Sequence, residues 1–134
     1  MRNGLKVGGT AERRFRVELA HAIDLEPGAM PPILSTPWLI WFLEHVAREA
    51  LAPFLEEGEN SVGSHVDVDH LAATPVGEAV RCVARVAHID GRQVSFQLEA
   101  FDDHERIARG FHRRHVVRVD RLARRVEVKM RPLP

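Results

Sequence analysis

The sequence predicts an α+β fold in which one antiparallel β-sheet wraps around a single long, central α-helix. One segment near residue 40 has the start and stop signals of a helix, and its first two turns are apolar on every side. A helix that is apolar all round has to be surrounded by protein. The other regular segments alternate apolar and polar residues, as strands do. A sheet curled around the helix satisfies both observations.

The first strand is predicted over residues 12–20, where Phe15, Val17 and Leu19 fall on one face. Prolines and Gly28 interrupt the next segment, residues 21–35, which predicts a long loop. Loops of this length inside a compact domain are often functional, so we expect this one to lie near a site.

The central helix is predicted to begin at Thr36, as the N-cap, with Pro37 at the first helical position. Pro53 marks its end. Residues 38–43 are apolar without interruption, and Glu44 follows them directly. A carboxylate in such surroundings is costly unless it is paired or hydrogen-bonded, so Glu44 is a candidate functional residue.

Only strands are predicted beyond the helix, separated by turns such as Asp90-Gly91. They cover residues 62–70, 78–89, 94–100, 106–119 and a last stretch with Val126, Val128 and Met130. The whole chain, 1–134, is predicted to form one domain of the hotdog type. The exposed edges of a single sheet are commonly resolved by pairing with a second copy, so a homodimer, or a larger homo-oligomer, is expected.

Composition excludes several classes of protein. The 134 residues are 45% hydrophobic and 28% charged, as in soluble globular proteins, and no apolar run exceeds six residues, so no membrane association is expected. The N-terminus lacks a signal-peptide pattern, and the lone Cys82 allows neither an internal disulfide nor a cysteine zinc site. We therefore expect a cytoplasmic protein without metal or cofactor.

The charge is zero overall but unevenly distributed. Residues 106–134 carry nine Arg and one Lys against two acidic residues, a local net charge of +8. The arginines either form a solvated outer face or receive phosphate groups, for which their forked donors are suited. Aromatic residues are only 6% and Tyr is absent, so nucleic acid is not the expected partner, since stacking platforms are missing.

Three polar residues could act together although each has a plain structural explanation alone. Thr36 could simply cap the helix, Glu44 could face solvent, and His70 could be a surface histidine. Together they suit acyl transfer. A carboxylate in apolar surroundings becomes a usable base, a histidine moves protons near neutral pH, and free N–H groups at a helix start favour an oxyanion.

These residues belong to a wider pattern that resembles the fluoroacetyl-CoA thioesterase family of the hotdog superfamily. The resemblance runs from about residue 4 to residue 130. Its most specific parts are Thr36 with Glu44 eight residues later, Ala52-Pro53-x-Leu55-x-x-Gly58-Glu59, His70-x-Ala72-Ala73-Thr74-Pro75-x-Gly77, Gly91-Arg92 and Gly110-x-His112-x-Arg114. The 26-residue step from Glu44 to His70 is also the family's step.

The resemblance implies that Thr36, Glu44 and His70 are catalytic. It also implies that Gly63 supplies a backbone N–H near the thioester carbonyl, and that Arg114 supports the site residues. In such enzymes the site lies at the dimer interface and the phosphates of CoA rest on basic surface.

The sequence departs from the family at two places. The loop segment 27–34 holds no aromatic residue, whereas the fluoroacetyl-specific enzyme carries phenylalanines there. Pro37 stands where the relative has glycine, which removes one N–H, so the oxyanion would rely on Trp38, Leu39 or Gly63. We therefore expect a substrate-binding role for these three residues and no preference for the fluorinated acyl group.

The predicted activity is hydrolysis of an acyl-CoA, with a short acyl chain, to the free acid and coenzyme A. Glu44 either attacks the carbonyl or activates water, and the sequence leaves both routes open. Two alternatives remain: a non-catalytic module that binds CoA or an acyl ligand, and a hotdog enoyl-CoA hydratase. The hydratase is the weaker, because Asp67-x-Asp69-His70 lacks the Asn-Pro that usually accompanies an Asp and His of that kind.

Overall fold

The computed structural model describes all residues from Met1 to Pro134 and contains seven strands and two α-helices. In chain order these are β1 (Thr10–Arg16), β2 (Ala22–Ile23), β3 (Ile33–Leu34), α1 (Thr36–Leu51), β4 (Glu59–His70), β5 (Ala79–Asp90), β6 (Gln93–Phe101), β7 (Arg106–Arg118) and α2 (Val119–Met130). Single 3₁₀ turns lie at Leu19–His21 and Ala52–Phe54. Neither helix is long and apolar enough to cross a membrane.

Five of the strands form one antiparallel sheet in the order β1-β5-β6-β7-β4. The short strands β2 and β3 pair separately in the segment before α1. The long strand β4 is therefore an edge: β7 pairs with it on one side, and no strand of the same chain pairs with it on the other. An antiparallel sheet with a central helix is the architecture that the sequence predicts.

The core lies between α1 and one face of the sheet. The buried residues of α1 recur at three- and four-residue spacing, which places them on one side of the helix. They are Leu39, Phe42, Leu43, Val46, Ala47 and Leu51. Every second residue is buried against them in β6 and, from Val80 to Val86, in β5, as the pleat of a strand requires.

The prediction that α1 is enclosed on every side is wrong for the single chain. Trp41 is 43% exposed, and the Glu44 side chain is 39% exposed. The reason is geometric, since five strands pack against one side of the helix and leave the other side open. The apolar residues on that open side are a feature that the sequence could not distinguish from core.

Two predicted strand segments also differ in the structure. The last one, which holds Val126, Val128 and Met130, is the helix α2 rather than a strand. Alternation of valines favoured a strand there, but a helical stripe of apolar residues fits the same segment. The first predicted strand ends at Arg16, and Leu19 lies in a 3₁₀ turn where it is exposed.

Candidate active site

Thr36 and His70 meet at the start of α1 and the end of β4. The Thr36 hydroxyl oxygen lies 2.8 Å from His70 Nδ1, a hydrogen bond between two side chains 34 residues apart. The prediction that Thr36 is the N-cap is wrong, because Ser35 occupies that position and Thr36 is the first residue of the helix. Its hydroxyl is therefore free of a capping role and is used to contact His70.

His70 is placed to exchange a proton. Burial lowers its pKa from the ordinary value, and the backbone of Ala72 partly opposes that shift. At neutral pH the ring is therefore mostly uncharged. Nε2, the ring nitrogen that does not face Thr36, is buried and has no hydrogen-bond partner. A buried, unpaired nitrogen is costly in a purely structural residue, which favours a functional role.

A cavity of about 320 Å³ opens beside this pair. Six of its eight lining residues are apolar. They are Ile23, Ile33, Leu34, Leu71, Ala72 and Ala73, and the other two are Thr36 and His70. An apolar cavity with two polar groups at one point can hold an acyl chain and present its carbonyl to them. A separate depression on the outer face of the sheet, near Asp67 and Arg109, contains none of the predicted site residues.

Glu44 lies in a second cluster, beside Arg114. Arg114 Nη1 is 3.9 Å from Glu44 Oε2, and the Arg114 side chain is only 6% exposed. The guanidinium is fixed by Ser61, whose hydroxyl and carbonyl oxygens each accept a hydrogen bond at 2.9 Å. Burial lowers the pKa of Arg114 while Glu44 opposes the shift, so a fixed cation faces the carboxylate. Arg114 thus places a buried positive charge near the Glu44 carboxylate, at a distance longer than a hydrogen bond.

His112 completes this second cluster, although no role was predicted for it. Its Nδ1–H donates to the His65 carbonyl at 2.8 Å, and Nε2 then accepts from Arg114 Nη1 at 3.1 Å. Burial lowers the pKa of His112, consistent with a neutral ring. The spacing of Gly110-x-His112-x-Arg114 contained the signal, because residues two apart on a strand share a face.

Gly63 permits the close packing of this cluster. A Cβ at this position would lie 3.0 Å from His112 Cε1 and 3.3 Å from Glu44 Oε2. The β4–β7 register shifts between Gly63 and His65, so the strand is irregular where it passes Glu44. A larger residue would displace the carboxylate or the imidazole.

The predicted catalytic residues therefore form two clusters within one protomer rather than one. Thr36 and Glu44 are eight residues apart on α1, or about 12 Å along the helix axis. Thr36 contacts His70, whereas Glu44 contacts Arg114 and approaches Gly63. Of the predicted triad, the structure brings together only Thr36 and His70 within one protomer.

Trp38 and Leu39 were predicted to offer backbone N–H groups to the oxyanion, and one of the two already donates a hydrogen bond within the helix. The Leu39 N–H donates to the Ser35 carbonyl at 3.0 Å. The Trp38 N–H makes no backbone hydrogen bond, as expected in the first turn of a helix. The Trp38 ring packs against His21, with 4.7 Å between ring centroids.

Comparison with known proteins identifies the family. The profile of the fluoroacetyl-CoA-specific thioesterases, FlK, matches residues 17–120. This chain belongs to the FlK family. The fluoroacetyl-CoA thioesterase of Streptantibioticus cattleyicolor is 30% identical over 135 residues, which cover 96% of this chain and 97% of the relative.

Solved structures agree with the assignment to the FlK family. FlK itself superimposes with a TM-score of 0.87 at 29% identity, covering 97% of this chain and 100% of that chain. A thioesterase superfamily member from Thermus thermophilus gives 0.84 at 28% identity, covering 96% and 97%. A hot-dog-like protein from Thermanaerovibrio acidaminovorans gives 0.86 at 28%, covering 95% and 94%. The predicted hotdog fold and the predicted thioester hydrolase class are confirmed.

Proposed function

We propose that this FlK-family chain hydrolyses a short acyl-CoA to the free acid and coenzyme A, with Thr36, Glu44 and His70 as catalytic residues. Family membership supports the reaction. The hydrogen bond between Thr36 and His70 at the mouth of an apolar cavity is the observation that best supports the site. No observation favours the binding-module or hydratase alternatives.

The proposed site is completed by two protomers. His70 and Gly63 are seven residues apart on β4, about 23 Å in an extended strand, so one chain does not bring their two clusters together. The free edge of β4 can pair antiparallel with the β4 of a second copy. If the two-fold axis passes between Val66 and Asp67, Gly63 of one protomer lies opposite the partner's His70. Glu44 then faces the partner's Thr36 and His70.

The proposed chemistry follows from the charges of the two clusters. Glu44, which lies beside Arg114, either attacks the thioester carbonyl, expelling the CoA thiolate and forming an anhydride that water then hydrolyses, or removes a proton from water that attacks the carbonyl directly. The carbonyl oxygen gains negative charge and is stabilised by the Trp38 N–H at the positive end of α1, with Gly63 as a second donor. His70, neutral at physiological pH, accepts the proton released by the attacking water, directly or through Glu44, and passes it to the departing thiolate of CoA.

The remaining expectations are part of the same proposal. The aromatic-free segment 27–34 supports little discrimination between fluoroacetyl-CoA and acetyl-CoA, and the arginines of β7 and α2 offer positive surface for the phosphates of CoA. A cytoplasmic location, and the expectation that the chain binds neither nucleic acid nor a membrane, stay predictions.

Subunit complementation tests the reaction and the composite site together. Glu44→Gln and His70→Ala should each be inactive in an assay for thiol release from an acyl-CoA. In a mixed dimer of the two variants, one site combines the intact Glu44 with the intact His70. An equal mixture, exchanged to equilibrium, should therefore regain about a quarter of wild-type activity, because half of the dimers are mixed and each has one complete site. A triad within one chain would regain none.

A further inference from the structure

The helix α2 leaves every one of its side chains exposed. It follows β7 directly, and the Val119 N–H donates to the Gly58 carbonyl at 2.9 Å, so its start is fixed beside β4. Four of its apolar residues form one stripe at helical spacing, namely Val119, Leu122, Val126 and Met130, while Val128 lies on another side of the helix. A 12-residue helix is marginal in water on its own. The stripe therefore needs a surface to cover it.

A positively charged flank runs beside the stripe. Arg121, Arg125 and Lys129 recur every four residues and so share one side of α2. None of the three takes part in an ion pair within the protomer. The surface that covers α2 should therefore combine apolar area with negative charge.

The rim of the apolar cavity beside Thr36 and His70 combines apolar area with negative charge. Ile23, Leu25 and Leu71 are 41%, 60% and 45% exposed. Asp24 and Glu26 lie between and beside them, and neither has a cationic partner in its own chain. The rim and α2 are complementary in charge and both expose apolar area, yet they do not meet within one protomer.

We propose that α2 of each protomer packs onto the cavity rim of the second copy and forms an intermolecular lid over the apolar cavity. This inference rests on the dimer proposed above. In that dimer Gly63 lies opposite the partner's His70, where β4 ends, so Glu59 at the start of β4 lies on the side of the loop that follows the partner's His70. Arg118 is the cross-strand neighbour of Glu59, and α2 begins at the next residue. The helix thus starts beside the partner's loop that carries Leu71.

The positive charge of α2 favours the rim of the second copy over other surfaces that could cover the helix. Two α2 helices packed on each other would place their unpaired cations together, which is unfavourable. An anionic lipid surface would satisfy the charge of α2 but would leave the acidic, apolar rim of the cavity uncovered. The rim of the second copy accounts for both surfaces at once.

Cross-linking tests the contact directly in the full-length protein. A variant with Leu71→Cys and Leu122→Cys is treated with a short, reducible bismaleimide. Burial raises the pKa of the native Cys82 thiol to about 12, so it stays unreactive. Most of the protein should become a covalent dimer. The matched control replaces Leu122→Cys by Val128→Cys, which points away from the apolar stripe, and should give little covalent dimer.

The cross-linked enzyme also reports on the lid. Its kcat/KM should fall about tenfold or more and recover when the linker is reduced, because a tethered lid cannot open for substrate. The inference is overturned if the protein is dimeric and shows complementation but the Leu71/Leu122 pair does not cross-link. It is also overturned if phosphatidylglycerol vesicles bind the wild type and abolish cross-linking. Absence of complementation would instead refute the proposed composite site.

Discussion

The catalytic roles of Thr36, Glu44 and His70 stay predictions, but the structure shows that the three residues do not form one group within a protomer. Thr36 and His70 do meet, across 34 residues of chain. Glu44 was expected with them in apolar surroundings, yet in one protomer it is 39% exposed and lies beside Arg114. Apolar neighbours in sequence do not enclose a side chain when only one side of the helix is covered. His112 was part of the Gly110-x-His112-x-Arg114 pattern, but strand alternation alone does not show that its ring contacts Arg114.

Replacement of Glu44 is the first residue-scale prediction. Glu44→Gln should lower kcat by about 10²-fold or more, the usual loss for a positioned base, while the melting temperature changes little. The matched control is Glu49→Gln on the same helix, whose exposed partner is Arg13. Surface ion pairs contribute little, so this variant should keep wild-type turnover. Wild-type kcat in Glu44→Gln would refute the proposed mechanism.

The pH dependence of turnover should report the titration of His70. Burial lowers its pKa below the ordinary value of 6.5. If the neutral ring is the active form, activity is full above that value and is lost as pH falls through the lowered pKa. The acidic limb of the kcat/KM profile should therefore have its midpoint below pH 6.5. A midpoint above 6.5, or an unchanged limb in the residual activity of His70→Ala, would assign the limb to another group.

At the scale of elements, helices and strands were predicted best where the spacing of apolar residues fitted only one of the two. In β5 and β6 strict alternation identified the strands, and Pro37 and Pro53 bounded α1. The segment after residue 118 contains valines at spacings of both two and seven, so it fits a strand and a helix. It forms α2, and no burial within the protomer distinguishes the two patterns. The sequence does not show which surface would cover α2.

The loop before α1 should make this enzyme indifferent to the fluorine of its substrate. Its cavity is lined there by Ile23, Ile33 and Leu34, and the loop holds no aromatic side chain. A small difference in an apolar pocket is worth only modest discrimination, so kcat/KM for fluoroacetyl-CoA and acetyl-CoA should agree within about tenfold. The FlK enzyme, assayed in parallel, serves as the control. A ratio in favour of the fluorinated substrate as large as that of FlK would contradict the expectation.

Among the arginines of residues 106–125, those that are exposed and have no carboxylate partner should act on binding rather than on turnover. If they hold the phosphates of CoA, added salt should raise KM and leave kcat nearly unchanged, since screening weakens exposed charge pairs. Arg113→Gln removes a cation that has no carboxylate partner and should raise KM. Arg106→Gln, whose charge is paired with Glu99, is the control and should not. A KM that does not change with salt would indicate that these arginines form a solvated outer face and do not bind phosphate.

At the scale of the whole molecule, the proposed dimer would account for four features of the single chain. They are an unpaired edge at β4, two separate clusters of predicted site residues, an open side of α1 and an uncovered α2. Each alone has a local explanation. Symmetric association about the middle of β4 would pair the edge and join the two clusters, and it would place α2 against the second copy. A two-fold symmetric interface has no sequence pattern of its own. Its only sign is that some residues lack a packing or hydrogen-bonding partner within the single chain.

The composite site predicts dominant inhibition by a fully inactive subunit. A variant with both Glu44→Gln and His70→Ala leaves no complete site in a mixed dimer, because each site lacks one of the two residues. Excess variant, exchanged with wild type, should therefore reduce activity toward zero. With a complete site inside each chain, every wild-type subunit would stay active in the mixture. Light scattering on the same samples should give twice the 15.1 kDa of one chain. An active 15.1 kDa monomer would refute the dimer and the composite site together.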